Sequence, residues 1–244
     1  MENENLAILI EDIRSKWNPE RFGIVRYPHP VAVVRDRESF GQKIRSVLDM
    51  PIKLPNSDVR IPRDLQTPGI LEVVNTCLEF EKGINPNWED YYLYLTVHHS
   101  PVKKASTQRR AGAHIDGMQG ERYPDKLPVC HSYVVSNAIP TRFYRHPFQT
   151  NLCEMTQNWF YEFDKVKDKK RSVLAKPFEI NLMTAYSVHE STATSKDVVR
   201  TFVRLEFSLK KFDRKGNSVN PLFDLYWNYQ EREIPKHLAH GIFD

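Results

Sequence analysis

Three cysteines, Cys77, Cys130 and Cys153, in 244 residues are too few and too widely spaced for a disulfide scaffold, and no C-x-x-C pair offers a thiolate zinc site. Glycine is scarce as well. With 9 glycines against 16 prolines and neither G-x-G-x-x-G nor G-x-x-x-x-G-K-[ST], the chain lacks the phosphate-cradling loops of nucleotide chemistry. The G-x-S-x-G elbow of serine hydrolases is absent. No apolar run approaches the roughly 18 residues of a membrane-spanning helix. The start, Met1-Glu2-Asn3-Glu4-Asn5, is acidic where a secretory or mitochondrial leader is basic, so a cytoplasmic protein outside the membrane is expected. Neither sign of charge dominates: 35 Lys and Arg against 31 Asp and Glu leave +4, short of a nucleic-acid-binding footprint yet compatible with anionic ligands. Repeats and low-complexity segments are missing too. What is present, 40% hydrophobic and 11% aromatic residues, is enough for a full core, and the length favours one domain over 1–244.

Along the chain, Leu6, Leu9, Ile10 and Ile13 predict an amphipathic helix over residues 3–16. Short strands follow at 22–27 and 31–34, then a helix over about 37–49 stopped by Pro51. Prolines 51, 55, 62 and 68 make 50–68 an extended loop. Thr67-Pro68 opens a helix whose buried stripe is Ile70, Leu71, Val74, Cys77 and Leu78. The pattern then turns strand-like at 91–98, 130–139, 178–188 and 201–209, interrupted by a helix near 151–163 and the basic run 165–171. Helices first and strands after predict an α+β fold, with residues 1–85 as a helical buttress, 90–210 as a sheet or barrel of mainly antiparallel strands, and 212–244 as a C-terminal extension. The apolar cluster Leu222 to Tyr229 in that extension suits packing on the barrel or a homodimer contact.

The residues with chemistry are Ala113-His114-Ile115-Asp116-Gly117 and, later, Val188-His189-Glu190. On a strand, residues two apart share a face, so His114 and Asp116 can reach one metal ion and His189 can complete the set. Two imidazoles and one carboxylate leave coordination positions open for a cosubstrate and dioxygen, as in non-haem Fe(II) oxygenases. Arg200 heads the strand running to Ser208 and suits a two-pronged grip on a carboxylate. Arg204 shares its face and competes for that role, with Glu206 as an alternative ion-pair partner. The residues also admit a plainer reading: His114 and Asp116 in a solvated turn between Gly112 and Gly117, and His189 as a hydrogen-bonded strand-end histidine. Adjacent His98 and His99 face opposite sides of a strand, His131 and His146 lack a carboxylate two residues away, and Cys130 lacks a nucleophile's setting.

His114-x-Asp116, His189 and Arg200, in that order and in these strand contexts, resemble the Fe(II)- and 2-oxoglutarate-dependent oxygenase superfamily. The resemblance covers roughly residues 90 to 210. It implies a double-stranded β-helix, a jelly-roll or cupin-like barrel buttressed by the N-terminal helices. It also implies that His114, Asp116 and His189 hold Fe(II) as catalytic metal ligands and that Arg200, or its competitor Arg204, binds the far carboxylate of 2-oxoglutarate. Tyr133, Asn137 and Thr141 lie in or just after the strand where the family often turns a polar side chain toward the cosubstrate.

The implied activity is hydroxylation, or a related desaturation or demethylation, with 2-oxoglutarate and O2 converted to succinate and carbon dioxide. A carboxylate at Asp116 argues against halogenation, since halogenating members replace it with a small residue. The mixed charges of Met118 to Lys126 suggest a small polar substrate such as an amino acid. Clusters at Lys103-Lys104, Arg109-Arg110 and 165–171 leave nucleobase oxidation open as a less favoured possibility. A cupin-like metal enzyme indifferent to 2-oxoglutarate and a non-enzymatic binding barrel are compatible with the same residues. The protein is expected to be a monomer or homodimer.

Overall fold

Leu9 and Ile13, four residues apart on one helical face, are completely buried in a computed structural model of the protein, where the N-terminal segment forms α1 (Glu2–Arg14). The structure describes residues 2–109, 111–116, 130–148 and 159–231. Helix α2 (Arg37–Gly41) is capped by Asp36, whose side chain accepts the Ser39 amide. In α3 (Pro68–Ile84) the Thr67 hydroxyl accepts the Ile70 amide at 3.3 Å, and proline occupies the first turn, where no amide hydrogen is needed. Helix α4 (Trp159–Val166) is the described part of the helix expected near 151–163. Cys153, Arg110, the segment 118–126 and the end of the C-terminal extension lie outside the described residues.

The described residues form nine strands in chain order: β1 (His29–Val33), β2 (Val47–Lys53), β3 (Tyr92–Val102), β4 (His131–Ser136), β5 (Thr141–Tyr144), β6 (Ser172–Leu174), β7 (Glu179–Thr184), β8 (His189–Ser191) and β9 (Val198–Ser208). They form two antiparallel sheets, one of six strands in the order β1-β7-β4-β9-β3-β2 and one of three in the order β6-β5-β8. The chain changes sheet between β4 and β5, between β6 and β7, between β7 and β8, where the Ser187 amide closes a turn on the Thr184 carbonyl at 2.9 Å, and between β8 and β9. The strand expected over 178–188 therefore ends at Thr184, and β8 begins only at His189, after the turn.

Two other expectations are corrected. The helix read over 37–49 stops at Gly41, and residues assigned to a loop form β2 instead. Pro51 does not prevent this because β2 is the sheet's edge strand, with register shifts on either side of the proline, so the missing amide hydrogen costs little. The strand read at 22–27 is replaced by a 3-10 turn, Pro19–Gly23, which Asn18 caps by accepting the Glu20 amide.

Alternation along the large sheet sorts side chains to two faces. Leu93, Leu95, Val203, Leu205 and Phe207 pack against Leu9, Ile13, Ile70, Val74 and Cys77 of the helices. Each such burial contributes roughly 1.5–3 kcal/mol. One carboxylate lies in this interface: Glu81 of α3 accepts the Tyr133 hydroxyl at 2.7 Å, Asn85 Nδ2 at 2.7 Å and His131 Nε2 at 2.9 Å. Burial pushes Glu81 upward, but the His131 ring and these donors hold it below the ordinary carboxylate range. The other face of the sheet meets the small sheet through Val134, Phe143, Met183 and Phe202, and carries Thr96, His98, Arg200, Arg204 and Glu206 beside that apolar contact.

The contact of α2 with α3 depends on a glycine. A Cβ at Gly69 would stand 2.6 Å from the Phe40 backbone nitrogen and 2.7 Å from its Cα. Backbone cannot swing aside as a side chain does, so Gly69→Ala is expected to cost about 1–3 kcal/mol in chemical denaturation, despite alanine's better helix propensity. Unchanged or increased stability would show that α2 shifts freely.

Candidate metal centre

His114 and His189, distant in sequence, meet as a single antiparallel bridge. The His114 amide donates to the His189 carbonyl at 2.8 Å and the His189 amide to the His114 carbonyl at 2.9 Å. Residues that exchange both bonds stand directly opposite one another, and the two rings lie 4.5 Å apart, centroid to centroid. The segment before His114 is held in place: Gly112 takes a φ of +87°, a conformation glycine adopts readily, and the Ala113 amide donates to Asp164 Oδ1 of α4 at 2.9 Å. Lys167 bridges Asp164 to Glu190, the neighbour of His189, and Glu190 also faces Arg142 Nε at 3.2 Å.

Each imidazole is oriented by its own backbone. His114 Nδ1 donates to the Gly112 carbonyl at 2.7 Å and His189 Nδ1 to the Ser187 carbonyl at 2.9 Å. A neutral ring whose Nδ1 donates to a carbonyl carries its lone pair on Nε2, the nitrogen through which such a ring ligates a metal. Asp116 Oδ2 lies 3.7 Å from His189 Nε2, and one potential ligand atom from each of the three residues falls within 4.8 Å of the others. Among the described residues this is the one such convergence of three His, Cys, Asp or Glu side chains. His114 and Asp116 come from a loop joined to β8 by one bridge, where the sequence suggested a strand.

The local field suits metal ligation. Burial, and then the neighbouring His189, drive the His114 imidazole down to about 3, so it is neutral at physiological pH. Burial alone would raise Asp116, yet Arg204 and the two imidazoles hold its carboxyl well below the ordinary range. A neutral imidazole, an ionised carboxylate and a second imidazole whose Nδ1 is tied to a carbonyl fit a divalent transition metal.

The remaining candidates go to different places. Arg200 is buried. Its Nε donates to the Ala138 and Ile139 carbonyls at 2.8 and 3.2 Å, and its Nη1 to Gln108 Oε1 at 2.6 Å. No carboxylate pairs with it among the described residues, and burial followed by the charge of Arg109 brings it down to about 9. Arg204 is occupied: it reaches Asp116 at 2.5 Å, Asp49 at 2.7 Å and Glu206 at 3.2 Å, so the pairing with Glu206 weighed from sequence is real and a free grip on 2-oxoglutarate is not available to it. Tyr133 points to the opposite face, toward Glu81, because it alternates with the inward-facing Val134. Asn137 accepts the Thr201 amide at 2.8 Å and so ties β9 to the segment after β4. Thr141 pairs with Ser191 across β5 and β8. Asp49 and Asp164 carry no signal in the sequence, and Arg109 stands out there only as half of the basic pair with Arg110. None has a motif, and only strand pairing and loop packing bring them to the site.

No protein-family model matches the chain, and no curated protein matches it. Solved structures do. HygX from Streptomyces hygroscopicus, with nickel and 2-oxoglutarate bound, is similar over 85% of this chain and 86% of its own, at 14% identity and a TM-score of 0.42. EvdO2 from Micromonospora carbonacea var. aurantiaca, complexed with 2-oxoglutarate, is similar over 59% of this chain and 61% of its own, at 11% identity and a TM-score of 0.38. The non-heme monooxygenase ThoJ, as its nickel complex, is similar over 59% of this chain at 14% identity and a TM-score of 0.32, and the chain spans 51% of ThoJ. Among the described residues no helix is long and apolar enough to cross a membrane.

Proposed function

We propose that the protein is a non-haem Fe(II)- and 2-oxoglutarate-dependent dioxygenase that hydroxylates, or otherwise oxidises, a C–H bond of a small polar metabolite such as an amino acid. The observation that carries this reading is the convergence of His114, Asp116 and His189, each imidazole with Nδ1 tied to a backbone carbonyl. In this reading the two sheets are the halves of a double-stranded β-helix. The three side chains hold the iron, which with 2-oxoglutarate and O2 supplies the oxidising power and leaves succinate and carbon dioxide.

The chain's own residues supply placement. Asp116 is held ionised and aimed by Arg204, and the two histidines are fixed in tautomer and direction by the Gly112 and Ser187 carbonyls. Arg200, anchored through Nε and one terminal nitrogen and paired with no carboxylate among the described residues, is the residue for the far carboxylate of 2-oxoglutarate.

The test is anaerobic. Fe(II) and 2-oxoglutarate added to metal-free protein are expected to give the weak visible absorption of a 2-oxoglutarate chelate. Arg200→Gln should retain iron and weaken 2-oxoglutarate by at least about tenfold, a loss of about 1.4 kcal/mol or more. Iron binding without the band would point to a metal enzyme that does not use 2-oxoglutarate, and no iron binding would leave the three side chains structural.

A further inference from the structure

Among the described residues, one guanidinium beside the inward face of the large sheet has neither a carboxylate nor a side-chain hydrogen-bond partner. Arg204 takes Asp49, Asp116 and Glu206, and Arg200 is tethered to two carbonyls and Gln108. Arg109 forms no ion pair and no side-chain hydrogen bond among the described residues. Its Cζ lies over the Phe202 ring at 5.1 Å from the centroid, and Arg200 lies over the same ring at 5.0 Å. One phenyl ring therefore carries two cations.

Arg109 belongs to the metal side of this arrangement. Phe202, the ring under its guanidinium, packs with Phe143, whose own ring lies 5.8 Å from that of His189, centroid to centroid. His98 stands directly across from Phe202 on β3, and its imidazole is pushed down by burial and by both arginines, so it offers a neutral hydrogen-bonding group beside them. Arg109, His98, His114 and Asp116 are all half-buried, while Arg200 and Arg204 are buried. Two like charges close together and largely desolvated are unfavourable until anions arrive. The far carboxylate of 2-oxoglutarate answers one of them.

We propose that Arg109 binds a carboxylate of the substrate itself, holding the molecule to be oxidised beside the metal while Arg200 holds the cosubstrate. This rests on the dioxygenase reading above. One unpaired guanidinium matches a monoanion, and its planar fork matches a carboxylate in a two-pronged bond. His98 is placed to accept or donate one further hydrogen bond. The substrate class is thus a small carboxylic acid, amino acids included, and not a neutral sugar or an alkyl amine.

The experiment uses nickel-loaded protein, which binds without turning over, saturated with 2-oxoglutarate. It is titrated calorimetrically with L-amino acids and, in parallel, with the same compounds as primary amides. At least one carboxylate is expected to bind, with its amide at least about tenfold weaker. Arg109→Gln should weaken that carboxylate by about tenfold or more and shift 2-oxoglutarate by less than about threefold, with Arg109→Lys in between. Failure of every carboxylate to bind, or equal binding by wild type and Arg109→Gln, overturns the proposal. A tenfold loss of 2-oxoglutarate in Arg109→Gln also overturns it, by making Arg109 a cosubstrate residue, while leaving the dioxygenase reading intact. Absence of 2-oxoglutarate binding in the wild type removes the dioxygenase reading, and this proposal with it.

Discussion

His114→Ala and His189→Ala proteins are expected to fold and to lose tight, equimolar binding of divalent metal, with affinity lower by well over the 10–100-fold typical of changes one step removed from a metal. Each removes one of three donors, and the two that remain cannot define a closed face on the ion. The cost to the fold is smaller. Each ring contributes a hydrogen bond to a nearby carbonyl and local packing, while the bridge joining the two residues is made by backbone and survives the change. Metal content after dialysis against nickel, together with a nickel-dependent shift in unfolding, separates the two effects. A ligand at 100 times its dissociation constant stabilises by about 2.7 kcal/mol, which wild type should show and both variants should not. Asp164→Ala should fall between, since it frees the Ala113 amide and loosens the loop without removing a ligand. Equimolar, equally tight nickel in His189→Ala would show that the ion sits elsewhere.

How much of this could be read from the chain depends on whether a residue's meaning is local. The order His114, Asp116, His189, Arg200 is local information of a kind, and the structure brings the first three together. Alternation correctly put Arg200 and Arg204 on one face, but it could not say which is paired, because Asp49 reaches Arg204 only through the pairing of β2 with β3 and β3 with β9. Alternation likewise gives Tyr133 a parity and not a direction. It points to the helices because Glu81 of α3 waits there for its hydroxyl. Arg109 sits in a loop without periodicity, so its neighbours along the chain mark it as half of a basic pair and not as part of the metal site. The helix expected over 37–49 failed for a related reason: β3 offers its edge to residues 47–53, a contact far away in sequence that outweighs the local pattern.

Removing the Arg204 cation from the centre of this network should cost more stability than the loss of either histidine or the Gly69→Ala change. Arg204→Met fills similar volume but leaves Asp49, Asp116 and Glu206 facing one another without the cation they share, and losing one partner of a buried ion pair costs about 3–5 kcal/mol. The loss should depend on pH with a definite sign. Burial pushes Glu206 up to about 7 even with Arg204 present, against about 4.3 in an unfolded chain. A carboxyl raised on folding binds its proton more tightly in the native state, so its contribution is most favourable in acid and is lost as pH rises from about 4.3 to about 7. Without Arg204 the strongest influence lowering the group is gone and the Cys130 hydrogen bond remains, so the window extends upward and the deficit of Arg204→Met should be larger near pH 8 than near pH 5. Glu206→Gln in the same background removes one of the three charges and should recover part of the loss at the alkaline end. Asp116 supplies the functional side of the same argument. Freed from Arg204, it is less firmly aimed, and nickel affinity should fall by about 10–100-fold in Arg204→Met. Urea denaturation near pH 5 and pH 8, with nickel titration of the folded protein, reads both effects. A deficit under about 1 kcal/mol, or one equal at the two pH values, would mean that the three carboxylates are not held by this arginine in solution.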